Sequence, residues 1–171
     1  CLLALKLKNA ELDLAVLRSG LEPRDWPAVE IWRSATKWVT SDEHAQHLRD
    51  PLPLSTSPLG CPWRPAEYSE CPWRGMVFRA LEQAGRSYRI VSTSATLQGQ
   101  MATAQSGLAV TSTLVGDRLQ EGLRIVRADE GLPELPECRY LLLKARDPRQ
   151  PIADILAAQV QDVFGTANDG T

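Results

Sequence analysis

Four hydroxyl residues are close together in the sequence, where an apolar segment ends and a helical pattern begins: Ser92, Thr93, Ser94 and Thr96. The first turn of a helix carries free backbone amides and the positive end of the helix dipole, and both attract anions. Hydroxyls at this place can add hydrogen bonds to a carboxylate or another polar group. The pattern predicts a site for a small polar ligand, while simple capping of the helix by Thr93 or Ser94 would explain the same residues.

Other polar residues follow predicted strands in the same way. Arg18 and Ser19 come directly after the apolar run 12–17, and α/β sheets bind ligands beside the carboxyl ends of their strands. An arginine there can bind a carboxylate through two parallel hydrogen bonds, or it can be a solvated loop residue. Hydroxyl residues at comparable places are further candidates: Thr40, Ser41, Ser55, Thr56 and Ser57.

The sequence Cys-Pro-Trp-Arg occurs twice, at 61–64 and at 71–74. We expect Cys71 at the start of a helix, a position that lowers the pKa of a thiol and makes it more reactive. Together, Cys61 and Cys71 could form a regulatory disulfide. The alternative is that the prolines and tryptophans shape and cover the loop while both cysteines are small apolar fillers.

Signatures of catalysis and of metal binding are missing from the sequence. It contains no nucleophile elbow, no P-loop and no dinucleotide-binding fingerprint. His44 and His47 lie three residues apart, but no cysteine pair at zinc spacing is near them. We therefore expect no enzyme activity, no cofactor and no bound metal.

The overall composition narrows the class of protein further. Of the 171 residues, 43% are hydrophobic and 23% are charged, which is ordinary for a globular domain. The net charge of -2 provides no basic surface for a DNA backbone, and the sequence has no helix-turn-helix pattern. No apolar run approaches the ~20 residues that cross a bilayer, and the charged opening segment does not resemble a signal peptide. With four cysteines expected to be reduced, the predicted compartment is the cytoplasm.

Alternating helices and strands are predicted to position these residues. Helical spacing of apolar side chains predicts helices over 2–8, 72–84, 95–106 and 151–164. Glycines that can adopt a left-handed conformation are expected to end the last three of them: Gly85, Gly107 and Gly165. Apolar runs predict strands over 12–17, 29–32, 37–40, 52–55, 88–92, 108–111, 123–126 and 139–144. This order indicates an α/β fold.

Several segments resemble, in the correct order, the effector-binding domain of LysR-type bacterial transcription regulators. Residues 10–16, AELDLAV, are similar to a strand entry of that family, and residues 103–111, TAQSGLAVT, are similar to its helix-to-strand passage. The helix end at 80–85 and the segment 149–153 before the last helix also lie in the matching order. The resemblance covers most of residues 9–164.

This resemblance implies a two-lobed α/β fold like that of the type II periplasmic binding proteins, with an effector bound in the cleft between the lobes. The first lobe would contain residues 1–40 and 134–171, and the second lobe would contain residues 41–133. Strands near 38–41 and 134–138 would cross between them. The family's opening strand, helix and second strand have no counterpart here, so the first lobe is expected to be incomplete.

The resemblance also implies a function. The domain would bind a small molecule, a carboxylate or another polar compound, and thereby control DNA binding by a helix-turn-helix domain outside this chain. Arg18 and Ser19 would face the ligand from the first lobe. Full-length subunits would form a homodimer or tetramer, with no membrane partner. The start at Cys1, without a methionine, agrees with a truncated chain.

Two alternatives keep the same fold but change the function. A free solute-binding protein would require an export signal upstream of this sequence. A thiol-based redox-sensing regulator would use Cys61 and Cys71.

Overall fold

The computed structural model describes residues 2–58, 71–114, 119–146 and 152–168 of the chain. Within these ranges the helices are α1 (Leu2–Lys8), α2 (Pro72–Gln83), α3 (Leu97–Gln105) and α4 (Ile152–Asn168), with a short 3-10 helix at Gln46–Leu48. The strands are β1 (Leu14–Arg18), β2 (Ala28–Ser41), β3 (Leu52–Thr56), β4 (Tyr88–Thr93), β5 (Thr111–Leu114), β6 (Leu123–Ile125) and β7 (Leu135–Lys144). The mixture of helices and strands agrees with the predicted α/β class.

The described residues divide between two compact units. The first unit contains the described residues up to Ser34 and from Glu137 onward, and the second contains those from Ala35 to Pro136. Both β2 and β7 contribute residues to each unit. The sequence predicts lobe borders at 40/41 and at 133/134. The first of these borders lies inside β2 and the second lies just before β7. Both borders stay a prediction.

In the first unit, β1 pairs antiparallel with β7. Ala15 and Leu17, on one face of β1, pack with Ala4 and Leu7 of α1 and with Leu143 of β7. Ala4 and Leu7 share one face of the helix because they are three residues apart. This cluster fixes β1, and with it the polar residues that follow the strand.

In the second unit, β3 and β4 are parallel neighbours, and β2 pairs antiparallel with β5 and β6. Leu52 and Leu54 of β3 pack with Val77 and Leu81 of α2 and with Val110. Burying one such side chain contributes about 1.5–3 kcal/mol to folding. The apolar face of α2 therefore holds β3 in place, and β3 leads to the polar residues at its carboxyl end.

Three elements are clearly longer than the sequence predicts, and one of them is β7, which begins at Leu135 and not at residue 139. The extended segments at 29–32 and 37–40 belong to one continuous strand, β2. The last helix does not end at Gly165 but continues to Asn168. No helix in the described ranges combines the length and apolar character that crossing a membrane requires.

The strand predicted at 108–111 is displaced. Gly107 ends α3 with a φ of +71°, and the backbone N–H of Leu108 donates to the carbonyl of Thr103 at 3.3 Å. These residues still complete the C-terminal turn of the helix, so the ladder of β5 begins only at Thr111. The prediction was right for Val110, which forms a parallel bridge with Leu54, and for Thr111, but it was wrong for residues 108 and 109, because apolar residues also occur after the turn that ends a helix.

Candidate functional site

The candidate site lies where two parallel strands of the second unit end. β3 ends at Thr56 and β4 ends at Thr93, and parallel pairing brings the carboxyl ends of the strands to one edge. The backbone N–H of Ser94 donates to the carbonyl of Thr56 at 3.0 Å, which places Ser57 near Ser94. We call the hydroxyl residues gathered here the strand-end site: Ser57, Thr93, Ser94 and Thr96.

Within the strand-end site, Thr96 is the residue that caps α3. Its Oγ1 accepts a hydrogen bond from the backbone N–H of Gly99 at 3.2 Å. The Oγ of Ser94 in turn accepts from the backbone N–H of Thr96 at 3.2 Å. Capping, which the simpler explanation gave to Thr93 or Ser94, is therefore carried out by Thr96. Ser94 Oγ also lies 3.4 Å from Thr96 Oγ1, where either hydroxyl can be the donor, so this pair keeps one hydroxyl proton for a ligand.

Ser94 packs against Gly99 and is hydrogen-bonded to Gln100. A Cβ atom at Gly99 would lie 2.2 Å from Ser94 Oγ and 3.0 Å from Ser94 Cβ, so only glycine leaves this side chain undisturbed. The buried Gln100 donates through Nε2 to the carbonyl of Ser94 at 3.0 Å. Its Oε1 accepts from Thr111 Oγ1 at 3.2 Å, which anchors the amide on β5. The loop between β4 and α3 is thus tied to the core.

Ser92 contacts α3 instead of the open edge. Its Oγ lies 3.2 Å from Oγ1 of Thr103, and Thr103 donates to the carbonyl of Gly99 at 3.0 Å. Ser92 therefore joins β4 to α3. Thr93, the next residue, is exposed.

Arg74 is a candidate that the sequence did not single out. It is the third residue of α2, is only 6% exposed, and donates through Nη1 to the carbonyl of Ser57. Its Cζ lies 4.5 Å from the ring centre of Phe78, one helical turn further on. The available signal was the i, i+4 spacing of Arg74 and Phe78 on the predicted helix, which puts both side chains on one face.

Three polar atoms at or beside the end of β3 are buried without a hydrogen-bond partner among the described residues: Nε of Arg74 and the hydroxyl oxygens of Ser55 and Ser57. Ser55 is 2% exposed. Buried polar atoms are normally paired, so such a group calls for a physical explanation.

Thr40 and Ser41 belong to the same unit, but their hydroxyls serve a local turn. Thr40 Oγ1 donates to the carbonyl of His44 at 3.3 Å, and Ser41 Oγ accepts from the backbone N–H of Glu43 at 3.2 Å. Both residues are buried. As ligand contacts these two residues stay a prediction.

An ionic cluster surrounds Glu130 in the second unit. The two Nη atoms of Arg124 each lie 2.8 Å from one carboxylate oxygen of Glu130, and the backbone N–H of Arg127 donates at 2.7 Å. These hydrogen bonds lower the pKa of Glu130 to about 2. His47 Nε2 lies 3.4 Å from the same carboxylate, and burial lowers the pKa of His47 below its ordinary value. The positive charge of Arg124 and the negative charge of Glu130 therefore neutralise each other.

Arg18 and Ser19 lie in the first unit, at the end of β1. Both are half-buried, and the backbone N–H of Ser19 donates to the carbonyl of Arg139 at 2.8 Å. Cys138 is close by and buried, and burial raises the pKa of its thiol while the charge of Arg18 opposes that rise. The ligand-binding role of Arg18 and Ser19 stays a prediction.

The first unit also contains a concave region of about 560 Å³. Its lining includes Pro27, Val29, Leu142, Lys144, Asp154 and Gln161. The ammonium of Lys144 pairs with the carboxylate of Asp154. These two opposite charges of the pocket therefore satisfy each other.

Cys71 precedes α2, as predicted, and is a half-buried free thiol. Its side chain makes no capping hydrogen bond. Cys61 lies outside the described residues, so the proposed pair of Cys61 and Cys71 stays a prediction. In the described ranges, no group of three or more His, Cys, Asp or Glu side chains is arranged to hold a metal ion.

Comparison with known proteins decides the family. The family model of the LysR substrate binding domain matches residues 3–165, nearly the whole chain. The chain belongs to the LysR family. The predicted family is thereby confirmed, and LysR regulators are transcription factors without enzymatic activity.

The relatives of this LysR domain include PecT, an HTH-type transcriptional regulator of Dickeya dadantii (strain 3937). PecT is 26% identical over 155 residues, which cover 91% of this chain and 45% of PecT. The chain therefore spans about half the length of this curated relative.

Two solved regulatory domains have the same fold. The bromide ion-bound regulatory domain of HypT from Salmonella typhimurium has a TM-score of 0.71 at 14% identity, over 94% of this chain and 76% of that one. The Synechocystis PCC6803 CcmR regulatory domain in complex with 2-PG has a TM-score of 0.66 at 12% identity, over 95% and 78%. The predicted fold class, α/β and like the type II periplasmic binding proteins, is confirmed.

Proposed function

We propose that this LysR domain is an effector sensor that binds a small polar molecule, in the first instance a carboxylate, at the strand-end site. The observation that carries the proposal is the hydrogen bond from Ser94 to the carbonyl of Thr56. It joins the ends of two parallel strands, each of which is followed by a hydroxyl residue, at the edge where α/β sheets bind ligands.

The surroundings of the strand-end site suit a polar ligand. The site lies beside the N-terminus of α3, whose first-turn amides and dipole favour negative charge. Ser94 packs closely against Gly99 and its carbonyl accepts a hydrogen bond from Gln100, so its hydroxyl needs little reorganisation on binding. A preorganised donor of this kind loses less entropy when a ligand arrives.

Ligands in related domains support the same proposal. The HypT domain holds a bromide ion, and the CcmR domain was solved with 2-PG. Both relatives have the fold of this chain and a bound ligand, and bromide is an anion.

The remaining predicted contacts have less support. Arg18 and Ser19 lie in the other unit, and the hydroxyls of Thr40 and Ser41 are already used in a turn. Ser92 supports the site by joining β4 to α3.

For the whole protein, we propose that ligand binding controls DNA binding by a helix-turn-helix domain outside this chain, in the cytoplasm. The relationship to PecT, named an HTH-type regulator, supports that arrangement. We also propose a homodimer or tetramer of full-length subunits. Its support is the exposed apolar surface of α4, where Ile152, Ile155 and Val163 are 63%, 60% and 65% exposed.

A thermal-shift screen of small carboxylates and amino acids tests the sensor proposal. A compound that binds should raise the melting temperature of the 171-residue chain, because a ligand that binds only the folded state stabilises it. Changing Thr93 and Ser94 to alanine should remove most of this shift. Ser106→Ala, at the other end of α3, is the matched control and should keep it. An unchanged shift in the double variant would exclude the strand-end site.

A further inference from the structure

We propose that Arg74 is the charged anchor of the ligand and that it forms, with the hydroxyl of Ser57, a buried subsite for an oxyanion such as a carboxylate or phosphate group. This inference rests on the proposed function and names the chemical class that the strand-end site selects. It also adds a specificity-determining residue that lies outside the hydroxyl cluster.

Arg74 carries a buried charge that the described carboxylates do not neutralise. A guanidinium stays protonated in proteins, and this residue is 6% exposed. Among the carboxylates of the described residues, none lies within ion-pair distance of it. Taking a charge out of water without a counter-charge costs much free energy, and an arriving anion would offset that cost.

An aromatic ring and a backbone carbonyl hold the guanidinium in place. The ring of Phe78 lies 4.5 Å from the Cζ of Arg74, and the same ring stacks on Tyr88 at 4.9 Å between ring centres. Nη1 donates to the carbonyl of Ser57. These contacts orient Arg74 without neutralising it, and its Nε has no hydrogen-bond partner within the described ranges.

A second buried donor lies next to the guanidinium. The hydroxyl of Ser57 is buried and has no partner among the described residues, although the carbonyl of Ser57 accepts from Arg74. Ser57 directly follows Thr56, whose carbonyl accepts from Ser94. Ser57, a member of the strand-end site, is therefore in direct contact with the guanidinium, and the oxyanion of the ligand is assigned to Arg74 and Ser57.

Geometry favours an oxyanion over a neutral ligand. The planar guanidinium forms parallel hydrogen bonds with carboxylate and phosphate oxygens, and hydroxyl donors complete their coordination. Arg74 is also in the first turn of α2, where the helix dipole adds to the positive potential. A neutral amide of the same shape would leave the guanidinium without a counter-charge among the described residues.

The test compares ligand pairs that differ in charge but little in shape. Isothermal titration of the wild-type chain with benzoate and benzamide, with succinate and succinamide, and with inorganic phosphate, in a low-salt buffer, measures the preference for an anion. We expect at least one anion to bind at least about tenfold more tightly than its neutral partner. That factor corresponds to one charge-assisted hydrogen bond. The carboxylate and phosphate arms distinguish the two sources of the oxyanion.

Variants assign the preference to Arg74. Arg74→Gln should weaken anion binding at least about tenfold, and Arg74→Lys should weaken it less because the charge remains. Arg79→Gln, an exposed arginine on the same helix, is the matched control and should bind like the wild type. If Arg74 were only structural, Arg74→Gln would lower the melting temperature and keep the anion preference, and that result would overturn the proposal.

Two further outcomes separate this inference from the proposed function. A neutral ligand that binds as tightly as its anionic partner, and loses affinity in the Thr93 and Ser94 double variant, would refute the role of Arg74 and leave the sensor proposal standing. If Arg74→Gln fails to fold, the variant Ser57→Ala is tested instead. This variant keeps the backbone carbonyl that accepts the hydrogen bond from Arg74. Anion affinity within about twofold of the wild type in Ser57→Ala would then refute the subsite.

Discussion

Glu130 shows how one residue couples the stability of the second unit to pH. Two hydrogen bonds from Arg124 and one from the backbone of Arg127 stabilise its charged form and lower its pKa from 4.5 to about 2. Between these values the unfolded chain binds more protons than the folded chain. The stability that Glu130 contributes is therefore complete above about pH 4.5 and is lost as the pH falls toward 2.

We predict that Glu130→Gln lowers the urea midpoint at pH 7 and that the difference from the wild type narrows steadily below pH 4.5. Circular dichroism at a series of pH values provides the measurement. Glu134→Gln, an exposed carboxylate of the same unit, is the control. A difference that does not depend on pH would show that the hydrogen bonds of Glu130 do not shift its ionisation.

At the residue level, the sequence predicted the cluster of hydroxyl residues but not the charged residue next to it, Arg74. Ser94 and Thr96 could be found because hydroxyls before a helix are a local pattern. Arg74 was missed because its spacing from Phe78 is only a weak local signal, and its contact with Ser57 joins residues that are 17 apart in the sequence. The roles of all these residues as ligand contacts stay predictions.

At the level of elements, two of the three helix ends predicted at glycines are correct, whereas the strand ladders were harder to predict. Gly85 and Gly107 adopt the left-handed φ of +63° and +71° that the sequence predicts for the ends of α2 and α3. The strand placed at 108–111 began only at Thr111, and two predicted segments joined into β2. Helix ends depend on neighbouring residues, whereas a strand is defined by partners that are distant in sequence.

The packing of α3 against the end of β4 yields a prediction at the same level. In Gly99→Ala, the new methyl group would overlap Ser94 Oγ, so the hydroxyl has to move. Alanine is favoured in a helix over glycine by about 1 kcal/mol, and α3 should therefore persist while Ser94 is displaced. We expect ligand affinity to fall by roughly tenfold, the value of one hydrogen bond of about 1.4 kcal/mol.

Titration calorimetry with the strongest ligand from the screen measures this loss. Gln98→Ala, an exposed neighbour in the first turns of α3, is the control and should bind normally. Normal affinity in Gly99→Ala, with Ser94 displaced in its crystal structure, would mean that the Ser94 hydroxyl does not touch the ligand.

At the level of the whole molecule, the order of elements together with several similar sequence segments predicted the family. Segments at 10–16 and 103–111 carried the resemblance, and the family model covers residues 3–165. The borders between the two lobes were harder to place, because β2 and β7 run through both units without a break in their sequence pattern. A continuous strand carries no local sequence signal at the residue where one unit ends and the other begins.

The most direct test of the central claim is to locate a bound effector on the molecule. Nuclear magnetic resonance of the 15N-labelled chain, titrated with the compound that gives the largest thermal shift, reports each backbone amide separately. We expect the largest changes at Ser57, Thr93, Ser94, Thr96 and Gly99. Largest changes around the pocket of the first unit instead, at Val29, Lys144 and Asp154, would contradict binding at the strand-end site.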